Sequence, residues 1–159
     1  MYRGKYLTSR DEASLIAVDL RKGVPEFPDG RDEWDQMAFY AVCFDENDVP
    51  AGTGRLYIDA DSHFRIDRLG VVPEKRGMYI GDLLARMLLY KAQELNAAGI
   101  CITCPSDTVR FFARYGFTLV GSENGLADMS VTADAIRLEG SCSRNKGAAC
   151  PGNCESCQA

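Results

Sequence analysis

The spacing of apolar residues divides the chain into alternating and helical stretches. Tyr2 to Leu7 reads as a short strand. Ser9 and Glu12 stand three apart ahead of Ala13, Leu15, Ile16 and Leu20, which predicts a helix opened by a capping box and ended near Gly23. A polar, proline-bearing connection then runs to Asp35, with room for one helical turn after Asp29. Two β-branched and aromatic runs, Met37–Phe44 and Val49–Ile58, flank Asp45-Glu46-Asn47-Asp48 and predict an antiparallel hairpin. Phe64 to Leu69 alternates with period two and turns wholly apolar at Leu69-Gly70-Val71-Val72, as in a third strand that ends more deeply buried.

After Gly81 the period changes to that of a helix. Ile80, Leu83, Leu84, Met87, Leu88 and Leu95 share one face, and Gly99 stands at the usual stop. Ile100–Thr103 is a short strand. Asp107 is placed to cap a helix through Val109, Phe111 and Phe112 that Gly116 closes. Phe117–Val120 and Ala135–Leu138 are expected as the last strands. The order β-α-β-β-β-α-β-α-β-β predicts an α+β sheet whose middle crosses to a parallel pair through one helix. Residues 1–139 form one domain on this reading. Residues 140–159, rich in Gly, Ser, Asn and Cys, form a tail that cannot pack a core of its own.

Composition is that of a globular protein. A formal charge of −5 and a pI near 4.9 argue against nucleic-acid or anionic-membrane binding. The N-terminus has no apolar signal-peptide core, and no apolar run reaches membrane length, so the expectation is a cytoplasmic protein. Of seven cysteines, Cys43, Cys101 and Cys104 are expected as reduced, small hydrophobes. Cys101 and Cys104 form a C-x-x-C, but three residues apart on a strand they point to opposite faces. The other four, Cys142, Cys150, Cys154 and Cys157, are candidate ligands of a tetrahedral zinc ion. Two disulfides or a free thiol-rich tail are the alternatives.

The stretch from Val71 to Gly81 bears the clearest chemistry. An apolar strand breaks at Pro73, passes Lys75, Arg76 and Gly77, and opens a helix at Gly81. Main-chain N–H groups of such a loop, with the unpaired donors of the first helical turn, form an anion site. No Walker A or dinucleotide-binding glycine pattern is present.

With its element order, this loop resembles the signature of the GNAT superfamily of acyl-CoA N-acyltransferases, most closely its small single-domain bacterial type. The resemblance covers roughly residues 2–139 and rests on three segments. They are the Asn47–Leu56 hairpin, Leu69–Leu84, and the junction Phe111-Phe112-Ala113-Arg114-Tyr115-Gly116-Phe117. It implies a mostly antiparallel sheet flanked by helices, with a central parallel pair splayed around acyl-CoA. Main-chain groups of Arg76, Gly77, Met78, Tyr79, Ile80 and Gly81 would bind the CoA pyrophosphate. Leu69, Val71 and Val72 would pair with the pantetheine amides, with an N–H near Leu69 or Val71 polarising the thioester carbonyl. Phe112 would stand beside the CoA. The implied reaction moves an acetyl group from acetyl-CoA to a primary amine of a small molecule or peptide by direct attack, and a homodimer is the family's common state.

Two residues depart from the pattern. Tyr79 stands where the signature commonly has glycine, and Phe112 where many active members carry the tyrosine that protonates the leaving thiolate. A phenyl ring donates no proton, so Tyr115 becomes the candidate acid. Asp67 is the candidate base, on a strand face with His63 and Arg65 and beside Arg55 and Tyr57; a solvated sheet face is the plainer reading. Glu26, Asp29, Asp32, Glu33 and Asp35 either draw a cationic amine or form a solvated loop. Trp34 either covers the acceptor or anchors that loop. The rival function is a non-catalytic acyl-CoA-binding or metal-responsive sensor protein that uses the cysteine tail.

Overall fold

The computed structural model describes residues 1–22 and 30–138. Its strands are β1 (Arg3–Thr8), β2 (Phe39–Phe44), β3 (Pro50–Ile58), β4 (Phe64–Val71), β5 (Gly99–Pro105), β6 (Thr118–Glu123) and β7 (Leu126–Thr132). Its helices are α1 (Ser14–Lys22), α2 (Ile80–Glu94) and α3 (Val109–Ala113). The strands form one sheet in the order β1-β2-β3-β4-β5-β7-β6, antiparallel except between β4 and β5. This is the mixed, mostly antiparallel α+β architecture expected from the sequence.

Period-two burial divides the core into two layers. Leu56, Ile66, Ile100, Ile102 and Met129 point to the face covered by α2 and α3. Leu7, Tyr40, Val42 and Tyr57 point to the other, covered by α1 and by the 3₁₀ turn Glu33–Gln36 with Trp34. Helix α2 buries Ile80, Leu84 and Leu88 on one ridge and Ala85, Leu89 and Ala92 beside it. Each leucine fully buried there contributes about 1.5–3 kcal/mol. Leu83 and Met87 flank that face, and Leu95 at the helix end is 38% exposed. Gly54 lets α2 approach β3, because a Cβ there would lie 2.7 Å from Leu88 Cδ1.

Three local expectations are corrected. The Ser9–Glu12 capping box does not form: Ser9 Oγ donates to the Gln36 carbonyl at 2.6 Å, while Asp11 accepts from the Thr8 N–H at 2.6 Å. The Asp11 turn thus precedes the helix, which starts at Ser14. Asp107 does not cap α3. It lies in a 3₁₀ turn, Ser106–Thr108, where Thr108 Oγ1 bonds the Pro105 carbonyl instead. Finally, the last strand is Leu126–Thr132 and not residues 135–138. Asn124 and Gly125 both have positive φ, 52° and 78°, the form of a tight hairpin turn, and they join β6 to β7. Residues 133–135 form a 3₁₀ turn, and the Arg137 N–H then bonds the Tyr115 carbonyl outside the sheet. The four tail cysteines lie outside the described residues.

Candidate functional site

The parallel pair is short. β4 and β5 are in register only at Phe64↔Ile100, Arg65↔Cys101 and Ile66↔Ile102, yet β4 runs on to Val71 and β5 to Pro105. A gap therefore opens inside the sheet beyond Ile66. A bulge sits at its mouth: Thr53 pairs with Gly70 but Arg55 with Asp67, so Gly54 faces both Arg68 and Leu69, and Arg68 takes φ 49°. Main-chain groups of successive strand residues point to opposite sides. The Val72 N–H reaches back to the Ala51 carbonyl at 3.0 Å, on the β3 side, so the groups of Val71 point into the gap. Beyond the one residue between them, Leu69 does the same. Val72 differs from the sequence expectation. Its N–H serves Ala51 and its carbonyl accepts from the Lys75 N–H at 2.9 Å, so the edge without a strand partner is Leu69–Val71, its Val71 carbonyl held by Arg76 Nε.

That edge leads into the basic loop. A 3₁₀ turn, Pro73–Lys75, passes to Arg76, Gly77 at φ 80°, and Tyr79 at φ 60°, ψ 14°, from which α2 starts. The left-handed conformation at Tyr79 costs a non-glycine residue about 1–2 kcal/mol, and its ring is 83% exposed. A pocket of about 240 Å³ lies at this helix start, lined on one side by Val71 and the loop from Lys75 to Gly81 and on the other by Phe111 and Arg114 of the α3 region, with Asp82 between. Met78 is outside the lining, and its sulfur accepts from the Tyr2 hydroxyl.

The pocket's charged groups are arranged unequally. Lys75 Nζ is 3.1 Å from Asp45, and Arg76 Nε donates to the Val71 carbonyl at 3.0 Å. Asp82 is bonded by Arg86 Nε at 2.8 Å and by the Tyr115 hydroxyl at 2.5 Å. Burial raises the pKa of Asp82, but these bonds and the Arg86 and Arg114 charges outweigh it and leave the carboxyl below its ordinary range. Tyr115 is 2% exposed; burial first, then the bond to Asp82, pushes its pKa up. Its hydroxyl is thus turned to Asp82. Phe112 is also buried, edge-on to Phe111 at 5.0 Å and to Phe117 at 6.0 Å. It is Phe111, one residue earlier, that lines the pocket. Asp82, Phe111 and Arg114 were not singled out as site residues from the sequence; the i, i+3 spacing of Phe111 and Arg114 was the available signal.

On the α1 face stands a second charged cluster. Arg55 is 1% exposed; its Nε and one terminal nitrogen each bond Asp67 at 2.7 Å, and its terminal nitrogens bond Asp32 at 2.5 and 2.9 Å. Arg21 bonds Asp35 through both terminal nitrogens, at 3.1 and 2.7 Å, and the Tyr40 hydroxyl donates to Asp35 at 2.6 Å. Arg68 from the bulge reaches Asp32 at 3.0 Å. Burial alone would raise the carboxyl pKa values, yet Arg55 holds that of Asp32 low, and Arg21 and Tyr40 hold that of Asp35 far lower. Both oxygens of Asp67, the candidate base, thus carry a guanidinium bond. Asp32 and Asp35 face arginines of this chain, and Trp34 stacks on Tyr57 with centroids 5.1 Å apart. His63 lies apart, in the β3–β4 turn, beside Asp59.

The family model described as acetyltransferase (GNAT) family matches residues 9–117, about two thirds of the chain. Among solved structures, Escherichia coli ElaA is similar at 18% identity and TM-score 0.71, covering 82% of this chain and 99% of its own. A putative N-acetyltransferase from Lactobacillus plantarum gives 21% and 0.70, covering 83% and 98%. An acyl-CoA N-acyltransferase from Pseudomonas aeruginosa gives 18% and 0.71, covering 82% and 99%. At these identities the likeness is one of fold.

Proposed function

The chain belongs to the acetyltransferase (GNAT) family, and we propose that it is an acetyl-CoA-dependent N-acetyltransferase acting on a primary amine. The observation that carries this reading is the continuity of the unpaired β4 edge at Leu69–Val71 with the loop pocket at the start of α2. An extended pantetheine pairs with the edge as an added strand, its pyrophosphate meets the N–H groups of Gly77–Gly81, and the thioester lies in the gap. The α2 dipole adds about 0.3–1 kcal/mol to anion binding. A main-chain N–H of the edge polarises the thioester carbonyl, and the neutral amine attacks directly.

The proton steps differ from those suggested by the sequence. Tyr115 is tied to Asp82 on the pocket side, so the departing thiolate, whose ordinary pKa is near 8.5, takes its proton from water. Asp67 accepts the amine proton only through water, since Arg55 occupies both of its oxygens. A Cβ at Gly81 would have ordinary contacts with Phe111 and Val71, so Gly81→Asp brings a carboxylate to the pocket without a clash. The variant should weaken CoA binding at least about tenfold by calorimetry, about 1.4 kcal/mol. Unchanged affinity would remove the loop assignment. Release of free CoA across polyamines, aminoglycosides, amino acids, peptide N-termini and lysines would then identify the acceptor.

The sequence also favours a second reading, a sensor that binds acyl-CoA without turning it over, because Phe112 supplies no acid and the four tail thiols suit zinc. Bound zinc in protein prepared without chelator, together with no transfer to any amine, would select it. A homodimer, expected from the family, and a cytoplasmic location, expected from the sequence, are part of the enzyme proposal.

A further inference from the structure

The two walls of the gap differ in the charges they present to the α1 face of the sheet. Ile66, Ile102 and Met129 point to the α2 face, so their chain neighbours Asp67, Thr103 and Asp128 point to the α1 face. The parallel register ends at Ile66↔Ile102, which makes Asp67 and Thr103 the first residues to face each other across the gap. Asp128 is the strand partner of Thr103 on β7. Among the described residues, the apolar layer on this face takes its strand residues from β1, β2 and β3, and Thr103 and Asp128 are exposed.

Charge beyond β4 has one sign. β5, β6 and β7 contain no lysine or arginine, and their charged residues are Asp128 and, at the hairpin turn, Glu123. On the β4 wall the charges are matched: Arg55 bonds Asp67, and Arg65 stands 3.5 Å from Asp59. Arg65 also donates to Thr103 Oγ1 at 3.2 Å, and the Thr103 hydroxyl donates in turn to one oxygen of Asp128 at 2.6 Å. Asp128 is thus a positioned carboxylate that has no ion pair among the described residues.

We propose that Asp128 binds a second cationic group of the acceptor, and that the acceptor class is a diamine or longer polyamine rather than a monoamine or an amino acid. This inference rests on the reading of the gap as the acyl-transfer site. On that reading the thioester lies beside Thr103, and Asp128 stands one strand spacing farther out, about 4.8 Å. The attacking nitrogen and the remote ammonium are then roughly 5–10 Å apart, the span of about three to six methylenes. An acceptor carboxylate in the same place would meet like charge.

Transfer kinetics with acetyl-CoA test the proposal on diamines from diaminopropane to diaminohexane. Each is compared with the monoamine in which a methyl replaces the remote ammonium, and with the ω-amino acid in which a carboxylate does. At the best length, wild-type kcat/KM for the diamine should exceed that for either analogue by about tenfold or more. Asp128→Asn should reduce the preference over the monoamine to below about threefold by raising the diamine KM, and Asp128→Glu should restore part of it. A preference that survives Asp128→Asn, or no preference at any length in wild type, would overturn the proposal. An equal fall in kcat for diamine and monoamine would overturn it too, by placing Asp128 on the reacting nitrogen, and preference for the amino acid would assign recognition to Arg65 instead. Wild type that binds CoA and transfers to none of these acceptors would also sink it, whereas wild type that does not bind CoA would remove the acyltransferase reading beneath it. A thermal melt of Asp128→Asn within a few degrees of wild type separates these outcomes from loss of fold.

Discussion

Two regions of this molecule are built from the same residue types, arginine and aspartate, and they do opposite things with them. On the α1 face, Arg21, Arg55 and Arg68 meet Asp32, Asp35 and Asp67 in bonds of mostly 2.5–3.1 Å, and the central guanidinium is closed to solvent. At the start of α2, Arg114 stands half exposed with its nearest carboxylate at 3.7 Å, beside main-chain N–H groups with no strand to pair with. The first region is neutral within itself and fixes one segment against the sheet. The second leaves positive charge and donors facing a cavity. Partner inventory, rather than charge count, separates scaffold from site.

The largest expected effect tests that separation directly. Arg55→Met leaves Asp67 and Asp32 without their common cation, and loss of one side of a buried pair costs about 3–5 kcal/mol. Chemical denaturation should show that loss, while the folded variant's CoA affinity stays within about threefold. A variant of normal stability that fails to bind CoA would join the two regions into one site. Next in size is the acid response. Asp32 and Asp35 titrate below the ordinary carboxyl value of about 4, so their contribution is complete above it and is lost as pH falls through and below it. Stability should therefore decline from about pH 5 downward, and Arg55→Met should decline less steeply than wild type, which urea titrations across pH can compare. A smaller effect is expected at Tyr115→Phe. Removing the hydroxyl that bonds Asp82 should lower stability by about 1 kcal/mol and leave acetyl transfer within about threefold. A fall of a hundredfold in kcat would restore Tyr115 as the acid.

The two regions were not equally legible in the sequence. Element order and the anion loop were readable because each depends on local signals: period-two runs in β3 and β4, and Pro73, Arg76 and Gly77 before an amphipathic run. The parallel crossing followed from a helix between two strands. The charged network was not readable, because it joins Arg21, Asp35, Arg55 and Asp67 from four separate elements, and only strand pairing brings Arg55 opposite Asp67. Arg55 was expected beside Asp67, but the sequence did not show that its guanidinium bonds both carboxylate oxygens. β7 was missed for a different reason. Asn124-Gly125 is a strong hairpin signal, but Asp128 and Ser130 interrupt the apolar run, and Ala135–Leu138 imitates a strand. Phe112 and Phe111 could not be told apart from sequence, since which of two adjacent aromatics faces the pocket depends on how α3 sits on α2.

The smallest effect, at Tyr79, concerns backbone strain, which both regions contain. Arg68 and Tyr79 are each left-handed, at φ 49° and 60°. Glycine at either position would relieve about 1–2 kcal/mol of steric cost and lose about 0.5–1 kcal/mol through the freedom it gains when unfolded. The side chains decide the sign. Arg68 bonds Asp32 at 3.0 Å inside the network, so Arg68→Gly removes a charged partner and should lower stability by about 1–3 kcal/mol. The exposed Tyr79 ring has no hydrogen bond to lose among the described residues, so Tyr79→Gly should raise stability by about 0.5 kcal/mol. Paired thermal melts of the two variants measure this opposition. A loss at Tyr79→Gly would mean that the ring holds the loop, and that the pocket, like the network, is maintained by side-chain contacts and not by backbone geometry alone.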